Sequence, residues 1–256
     1  MAAGVSYLMY HEIERPGRSL CSDDAGYVRY VVHEKSFDLQ LGSLRTAGMR
    51  GLSVGTAASD KNHGPHVVLT FDDGCESDLV IAAPLLAAHG CNATFYVTTG
   101  FLRRRGFLTP GQLRQLADLG FEIGCHAATH RYLIDLPSSE LEGEIGGAKK
   151  ALEDFTGRSV EHFSCPGGRW DDRVMRAVAA AGFLSMATSD IGVNVPHTYR
   201  LDRLAVMRTT SIAEFDDLCA GRGLLLPKLK TGALQAAKRV LGNARYERIR
   251  ARLLGD

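Results

Sequence analysis

Two pairs of side chains in this sequence have the types and spacing to do chemistry. Asp72 and Asp73 are adjacent carboxylates that follow the apolar run Val67-Val68-Leu69-Thr70-Phe71 and precede Gly74. Like charges held side by side are costly unless a cation or a shared proton offsets them. His126 and His130 stand four residues apart in His126-Ala127-Ala128-Thr129-His130. On a helical turn that spacing puts both imidazoles on one face, within reach of one ion. One carboxylate with two neutral imidazoles makes an open metal site that leaves positions for water and substrate. Ala127 stands where a His-Glu-x-x-His metalloprotease needs its glutamate, so that reading fails.

These residues must be positioned by strands. Val67 to Phe71 reads as a buried strand between Pro65 and Gly74, so the two carboxylates fall at its carboxyl end, where α/β architectures place their chemistry. Phe121 to Cys125 reads as another strand, which delivers His126. Around them the pattern alternates. Strands are expected at Val5–Tyr10, Leu52–Val54, Thr94–Val97, His162–Cys165, Leu184–Thr188 and Arg203–Met207. Helices are expected at Phe37–Ala47, Leu79–His89, Pro110–Leu119, from a Ser139/Glu142 capping box to about Phe155, at Asp171–Ala181 and at Ile212–Cys219. Cys21–Tyr30 has no clear period and reads as a loop. Strand–helix alternation over this length implies a parallel sheet with helices outside it. A closed or nearly closed barrel fits better than an open sheet, because functional-looking residues follow many different strands.

The bulk properties narrow the function classes. A net charge of +1 gives no case for nucleic acid as a partner, and no apolar run is long enough to span a membrane. Met1 to Ile13 lacks the basic start and apolar core of a signal peptide, which points to a cytoplasmic chain. The six cysteines form no C-x-x-C pair and read as buried free thiols. Residues 1–222 are expected to form the catalytic domain. Residues 223–256 are expected to form a basic helical extension packed on the same domain.

At this point the sequence resembles the polysaccharide deacetylases, the NodB-like carbohydrate esterases. Thr70-Phe71-Asp72-Asp73-Gly74 and His126-x-x-x-His130 are similar to the first two motifs of that family. Leu8-Met9-Tyr10-His11-Glu12-Ile13 resembles the opening of many members, and Phe163-Ser164-Cys165-Pro166-Gly167-Gly168 the third motif. The resemblance implies a distorted (β/α) barrel of about seven parallel strands and one divalent metal, zinc first and cobalt, manganese, nickel or iron otherwise, held by Asp73, His126 and His130. It implies Asp72 as the base acting on the metal's water, and a backbone N–H after Pro166, here Gly167, as an oxyanion donor. The physics agrees, since a bound metal lowers the pKa of its water and polarises an acetyl carbonyl. The implied activity is removal of an acetyl group from an N-acetylated sugar, either a poly- or oligosaccharide or a biosynthetic intermediate.

The sequence departs from the family pattern in two places. Ser164 stands where the third motif usually has an arginine that orients the catalytic Asp, and Arg169 on the following loop is one candidate replacement. The last motif usually supplies a histidine that protonates the leaving amine, whereas Leu204-Ala205-Val206-Met207-Arg208 has none. His11 is the candidate acid, because the first and last strands of a closed barrel can be neighbours. Trp170 offers an indole face for a sugar ring or an anchor for the next helix, which Asp171 caps. Pro166, Gly167, Arg169 and Trp170 therefore form the expected substrate-contacting set. Three other readings stay open: an O-acetyl ester hydrolase on a carbohydrate, a sugar-binding relative without turnover, and an iron oxygenase using two histidines and a carboxylate.

Overall fold

The computed structural model describes residues 4–60 and 64–224. The chain divides into a unit of Met1–Gly221 and a second of Arg222–Asp256, and nearly all of the expected basic extension lies outside the described residues.

Among the described residues, nine parallel strands form one sheet: β1 (Tyr7–Tyr10), β2 (Arg50–Leu52), β3 (His66–Asp73), β4 (Thr94–Val97), β5 (Glu122–Cys125), β6 (His162–Ser164), β7 (Ser185–Ala187), β8 (Arg200–Leu201) and β9 (Leu204–Ala205). Seven of these have three residues or more, and the other two are two-residue segments too short to show in a sequence pattern. The order is β8-β7-β6-β5-β4-β3-β1-β9, with β2 also paired to β3. The strands at the two ends of this path, β8 and β9, are separated in sequence only by Asp202 and Arg203. The sheet therefore curls until its edges are two residues apart, and those two residues bridge the gap.

Both faces of the sheet are covered, and seven of the eight residues of β3 are buried. On the outer face Tyr10, Phe71 and Phe95 stack across β1, β3 and β4 with ring centroids 5.1 and 4.8 Å apart, while Phe37 and Phe121 meet them edge-on. Inside the curl Tyr7, Val68, Tyr96, Ala187 and Leu201 pack together. Alternation along β3 then puts Val68, Thr70 and Asp72 on the inner face and Phe71 on the outer.

Several local elements differ from the sequence expectation. Cys21–Tyr30 is not all loop: Ala25–Val28 forms one helical turn capped by the Asp24 side chain on the Tyr27 N–H. Leu52 ends a strand, and Val54 begins a short helix capped by Ser53. The Ser139/Glu142 capping box is absent, because the helix starts two residues earlier, after Pro137, and widens into a π-helical turn at Gly143–Gly147. The Asp171 cap and the helix Ile212–Cys219 form as expected, the latter with a Ser211/Glu214 capping box. All six cysteines are free thiols. No helix among the described residues is long and apolar enough to cross a membrane.

Candidate metal and catalytic site

Adjacent strand residues point to opposite faces, so Asp72 and Asp73 should not reach one site. They do because Asp73, the last residue of β3, takes a left-handed backbone with φ of 82°. Aspartate tolerates that region better than most side chains. Both carboxylates are almost fully buried.

His126 and His130 meet them by a route other than the helical turn the spacing suggested. The segment 126–130 is a loop, with Ala127 and His130 themselves left-handed at φ of 62° and 63°. Backbone bonds hold its shape: Gly100 N–H donates to the Ala128 carbonyl at 2.7 Å and the His126 N–H to the Val97 carbonyl at 3.0 Å. Glu144, buried on the π-helical turn, accepts from the N–H groups of Ala128 and Thr129 and from the Thr129 hydroxyl at 2.6 Å. The two rings end with centroids 5.0 Å apart.

Asp73 Oδ1 lies 3.3 Å from His130 Nε2 and 3.6 Å from His126 Nε2, and it is buried without a directed hydrogen bond. His126 Nδ1 faces the Ser164 carbonyl at 2.8 Å; as donor there, it leaves the Nε2 lone pair turned to Asp73. Burial pushes His126 down to about 4, so the ring is neutral at ordinary pH and able to ligate. Burial acts the same way on His130, but its contact with Asp73 outweighs it and raises that ring. Bonds of ~2.0–2.1 Å at tetrahedral angles separate donor atoms by about 3.4 Å, close to the spacing found, and two imidazoles with a carboxylate suit zinc. Asp73, His126 and His130 therefore fit a divalent ion.

Asp72 is held by a residue that the sequence reading passed over. Arg203, in the two-residue bridge that closes the curl, is fully buried. It donates Nη1–H to Asp72 Oδ1 and Nη2–H to Asp72 Oδ2, both at 2.7 Å. Ser164 Oγ accepts from Arg203 Nη2 at 2.9 Å, and Arg203 Nε–H bonds the Thr188 carbonyl at 2.9 Å. Burial alone would raise the Asp72 carboxyl; Arg203, then His126, override it and hold it well below the usual range. Asp73 shows the same balance, with burial opposed by His130, His11 and His126. Arg169 does not take the orienting role, because its guanidinium lies over the Tyr132 ring at 3.8 Å. The sequence shows only a charged pair set between apolar residues, Leu201-Asp202-Arg203-Leu204, with no spacing that ties Arg203 to Asp72.

The other candidates surround this centre. His11 follows β1, which pairs with β9 through Leu8–Leu204 and Met9–Ala205, so the first and last strands are neighbours. Its ring lies tilted against Tyr30 with centroids 4.9 Å apart, and its buried Nδ1 has no hydrogen-bond partner. It is close enough to Asp72 and Asp73 to stabilise both charges. Pro166 to Gly168 form a tight turn in which Gly167 has φ of 62°; a Cβ there would meet Tyr132 at 2.5 Å, so only glycine fits. A cavity of about 360 Å³ lies alongside, lined by His130, Arg131, Tyr132, Asp135 and Leu136. Trp170 stands further out, with its indole N–H on Asp190 at 3.0 Å and Arg200 over its ring at 4.8 Å.

A family model described as polysaccharide deacetylase matches residues 59–186, half of the 256-residue chain. The chain belongs to the polysaccharide deacetylase family. The Bacillus subtilis protein YxkH, provisionally named a polysaccharide deacetylase, is 27% identical over 195 residues, covering 74% of this chain and 66% of that one. A chitooligosaccharide deacetylase of Sinorhizobium fredii is 31% identical over 124 residues, covering 48% of this chain and 56% of its own. The chain thus spans 56% to 66% of the length of these relatives. The solved Streptococcus pyogenes deacetylase PplD superposes with a TM-score of 0.75 at 21% identity, covering 86% of this chain and 99% of that one, and shares the fold. The family match takes in Asp72, Asp73, His126, His130 and Trp170, whereas His11 and Arg203 fall outside it.

Proposed function

We propose that this polysaccharide deacetylase relative is a metal-dependent hydrolase that removes the acetyl group from an N-acetylated sugar. The observation that carries this reading is the convergence of Asp73, His126 and His130 on one point, beside an Asp72 that Arg203 fixes and keeps ionised. The bound ion, zinc by the chemistry of its donors, would supply Lewis acidity to the acetyl carbonyl and acidity to a water.

Each residue then has a definable part. Asp72 accepts the proton of the attacking water. Because Arg203 depresses its basicity, Asp72 would act as base only toward a water whose acidity an ion held by Asp73, His126 and His130 would supply. Arg203 and Ser164 fix the carboxylate plane, so little reorientation accompanies proton transfer. The Gly167 N–H is the proposed donor to the developing oxyanion. His11 is the proposed acid, because an amine leaves only when protonated and Nδ1 of His11 has no other bond. Tyr132, with Arg169 across its face and Trp170 beyond, forms the apolar and cationic wall against which a sugar ring would pack.

The test is acetate release from N-acetyl and O-acetyl sugars by zinc-loaded protein, with and without chelator. Release from N-acetyl substrates that chelator abolishes supports the reading. Release from O-acetyl substrates alone would make the protein an esterase, and no release from either would make it a binding relative.

A further inference from the structure

A second cluster of metal-ligating side chains lies next to the first and shares none of its residues. Among the described residues, two groups of histidine, cysteine and carboxylate atoms are compact enough to hold an ion: Asp73/His126/His130, and Glu12/Cys21/Cys75. Cys21 Sγ and Cys75 Sγ are 3.3 Å apart as free thiols. Glu12 Oε2 accepts from the Cys21 N–H and the Tyr27 hydroxyl, both at 2.9 Å, and Tyr27 Oη also lies 3.3 Å from Cys75 Sγ. Glu12 and Cys75 are almost completely buried.

The cluster gathers two buried carboxyls, Glu12 and Asp78, around its thiols, and Arg18 lies within electrostatic reach of both. Asp78, fully buried beside it, has neither carboxylate oxygen hydrogen-bonded, yet it lies within electrostatic reach of Cys21 and Glu12. The nearby positive group, Arg18, is paired with Glu76 at 2.7 Å. Buried carboxyls left without partners are expensive unless a cation joins them.

We propose that Glu12, Cys21 and Cys75 form a second metal site, a closed thiolate–carboxylate site for a zinc-type divalent cation. Two sulfurs select a thiophilic ion over magnesium or calcium. Binding releases the two thiol protons to solvent, and the sulfurs become thiolates. A structural zinc has four ligands; a water could complete the set, or Asp78, which has no hydrogen bond of its own and lies within electrostatic reach of Cys21 and Glu12. The site ties the segment after β1 to the turn after β3. It thereby fixes Gly74 and Cys75 directly beyond Asp73, and Glu12 directly beyond His11. The proposal does not depend on the hydrolytic reading and would hold in a protein without turnover.

The experiment is metal counting combined with cobalt spectroscopy on the full chain, purified in reductant and loaded with zinc or cobalt. Wild type is expected to hold two zinc ions per chain. A Cys21→Ser/Cys75→Ser variant should hold one, and an Asp73→Asn/His126→Gln/His130→Gln variant should hold the other. The cobalt-loaded Asp73/His126/His130 variant should keep the thiolate-to-cobalt charge-transfer band, because the imidazole–carboxylate centre has no sulfur. In that variant zinc should also shield two thiols from alkylation. No zinc bound by the Asp73/His126/His130 variant, absence of the band in that variant, or a Cys21–Cys75 disulfide persisting in reductant would each overturn the proposal. The Asp73/His126/His130 variant leaves both cysteines native, so misfolding of the cysteine variant would not remove the test.

Discussion

At the scale of single residues, Asp72, the proposed base, depends on a partner 131 positions away. Removing one side of a buried ion pair leaves the other charge uncompensated, which typically costs ~3–5 kcal/mol. Arg203→Ala is therefore expected to lower the melting temperature and to abolish acetate release. Ser164 Oγ sits 2.9 Å from the guanidinium, so an arginine placed at 164 could reach Asp72 from the opposite strand. The exchange Ser164→Arg with Arg203→Ser should recover both stability and turnover relative to Arg203→Ala; recovery of stability without turnover would mean that the direction of approach matters to the base. His11 carries a separate prediction. Loss of a general acid costs ~10²–10⁴-fold in rate. His11→Gln should lose kcat in that range on N-acetyl substrates and much less on O-acetyl esters, whose leaving alcohol needs less protonation; equal losses on both would remove the acid assignment. The ligand candidates were legible because Asp72-Asp73 and His126-x-x-x-His130 are local patterns. Arg203 was not, because a guanidinium chosen by spatial proximity leaves no spacing in the sequence.

At the scale of elements, strand–helix alternation was readable because buried parallel strands are short apolar runs between turn residues. The devices that aim side chains were not. Three left-handed residues, Asp73, Ala127 and His130, bring the carboxylate and both imidazoles together, and none is a glycine that would announce such a turn. The His126–His130 segment looked helical by spacing but is a loop held by Glu144, which a π-helical turn presents at Gly143–Gly147. Glu144 satisfies three donors of that loop without touching either imidazole, so it acts by positioning. Groups in this outer position typically contribute ~10–100-fold to metal affinity. Glu144→Ala is expected to weaken zinc binding at the histidine centre by about that factor. Turnover at saturating zinc should remain near wild type, since the altered loop can still be held by the ion. Calorimetric zinc titration with kcat at high zinc separates the two; a loss of kcat that zinc does not restore would show that Glu144 sets more than the ligand positions.

At the scale of the whole molecule, the curled sheet separates chemistry from support. The carboxyl ends of the strands hold Asp72, Asp73, His126 and Ser164, while the amino ends hold a polar plug of Thr94, Glu122, His162 and Ser185. Glu122 accepts from the Gly55 N–H at 3.0 Å and from the Thr94 hydroxyl, and His162 Nδ1 meets Ser185 Oγ at 2.9 Å. Burial lowers His162, and Glu122 and Glu161, the charges that face it, only partly oppose this. A histidine whose folded pKa lies below its unfolded value of ~6.5 binds its proton preferentially in the unfolded chain. Its contribution to stability is therefore complete above about pH 6.5 and is lost as pH falls toward the lower folded value. His162→Gln, which can keep the Ser185 hydrogen bond without titrating, should flatten the decline of melting temperature below pH 6.5. Its acetate-release rate at neutral pH should match wild type, because the plug lies at the far end of the strands from Asp72. Parallel melting curves of the two proteins across pH 7 to 5 check this. Curves that fall together would move the acid sensitivity away from the plug, and a loss of turnover at pH 7 would show that the two ends of the sheet are coupled.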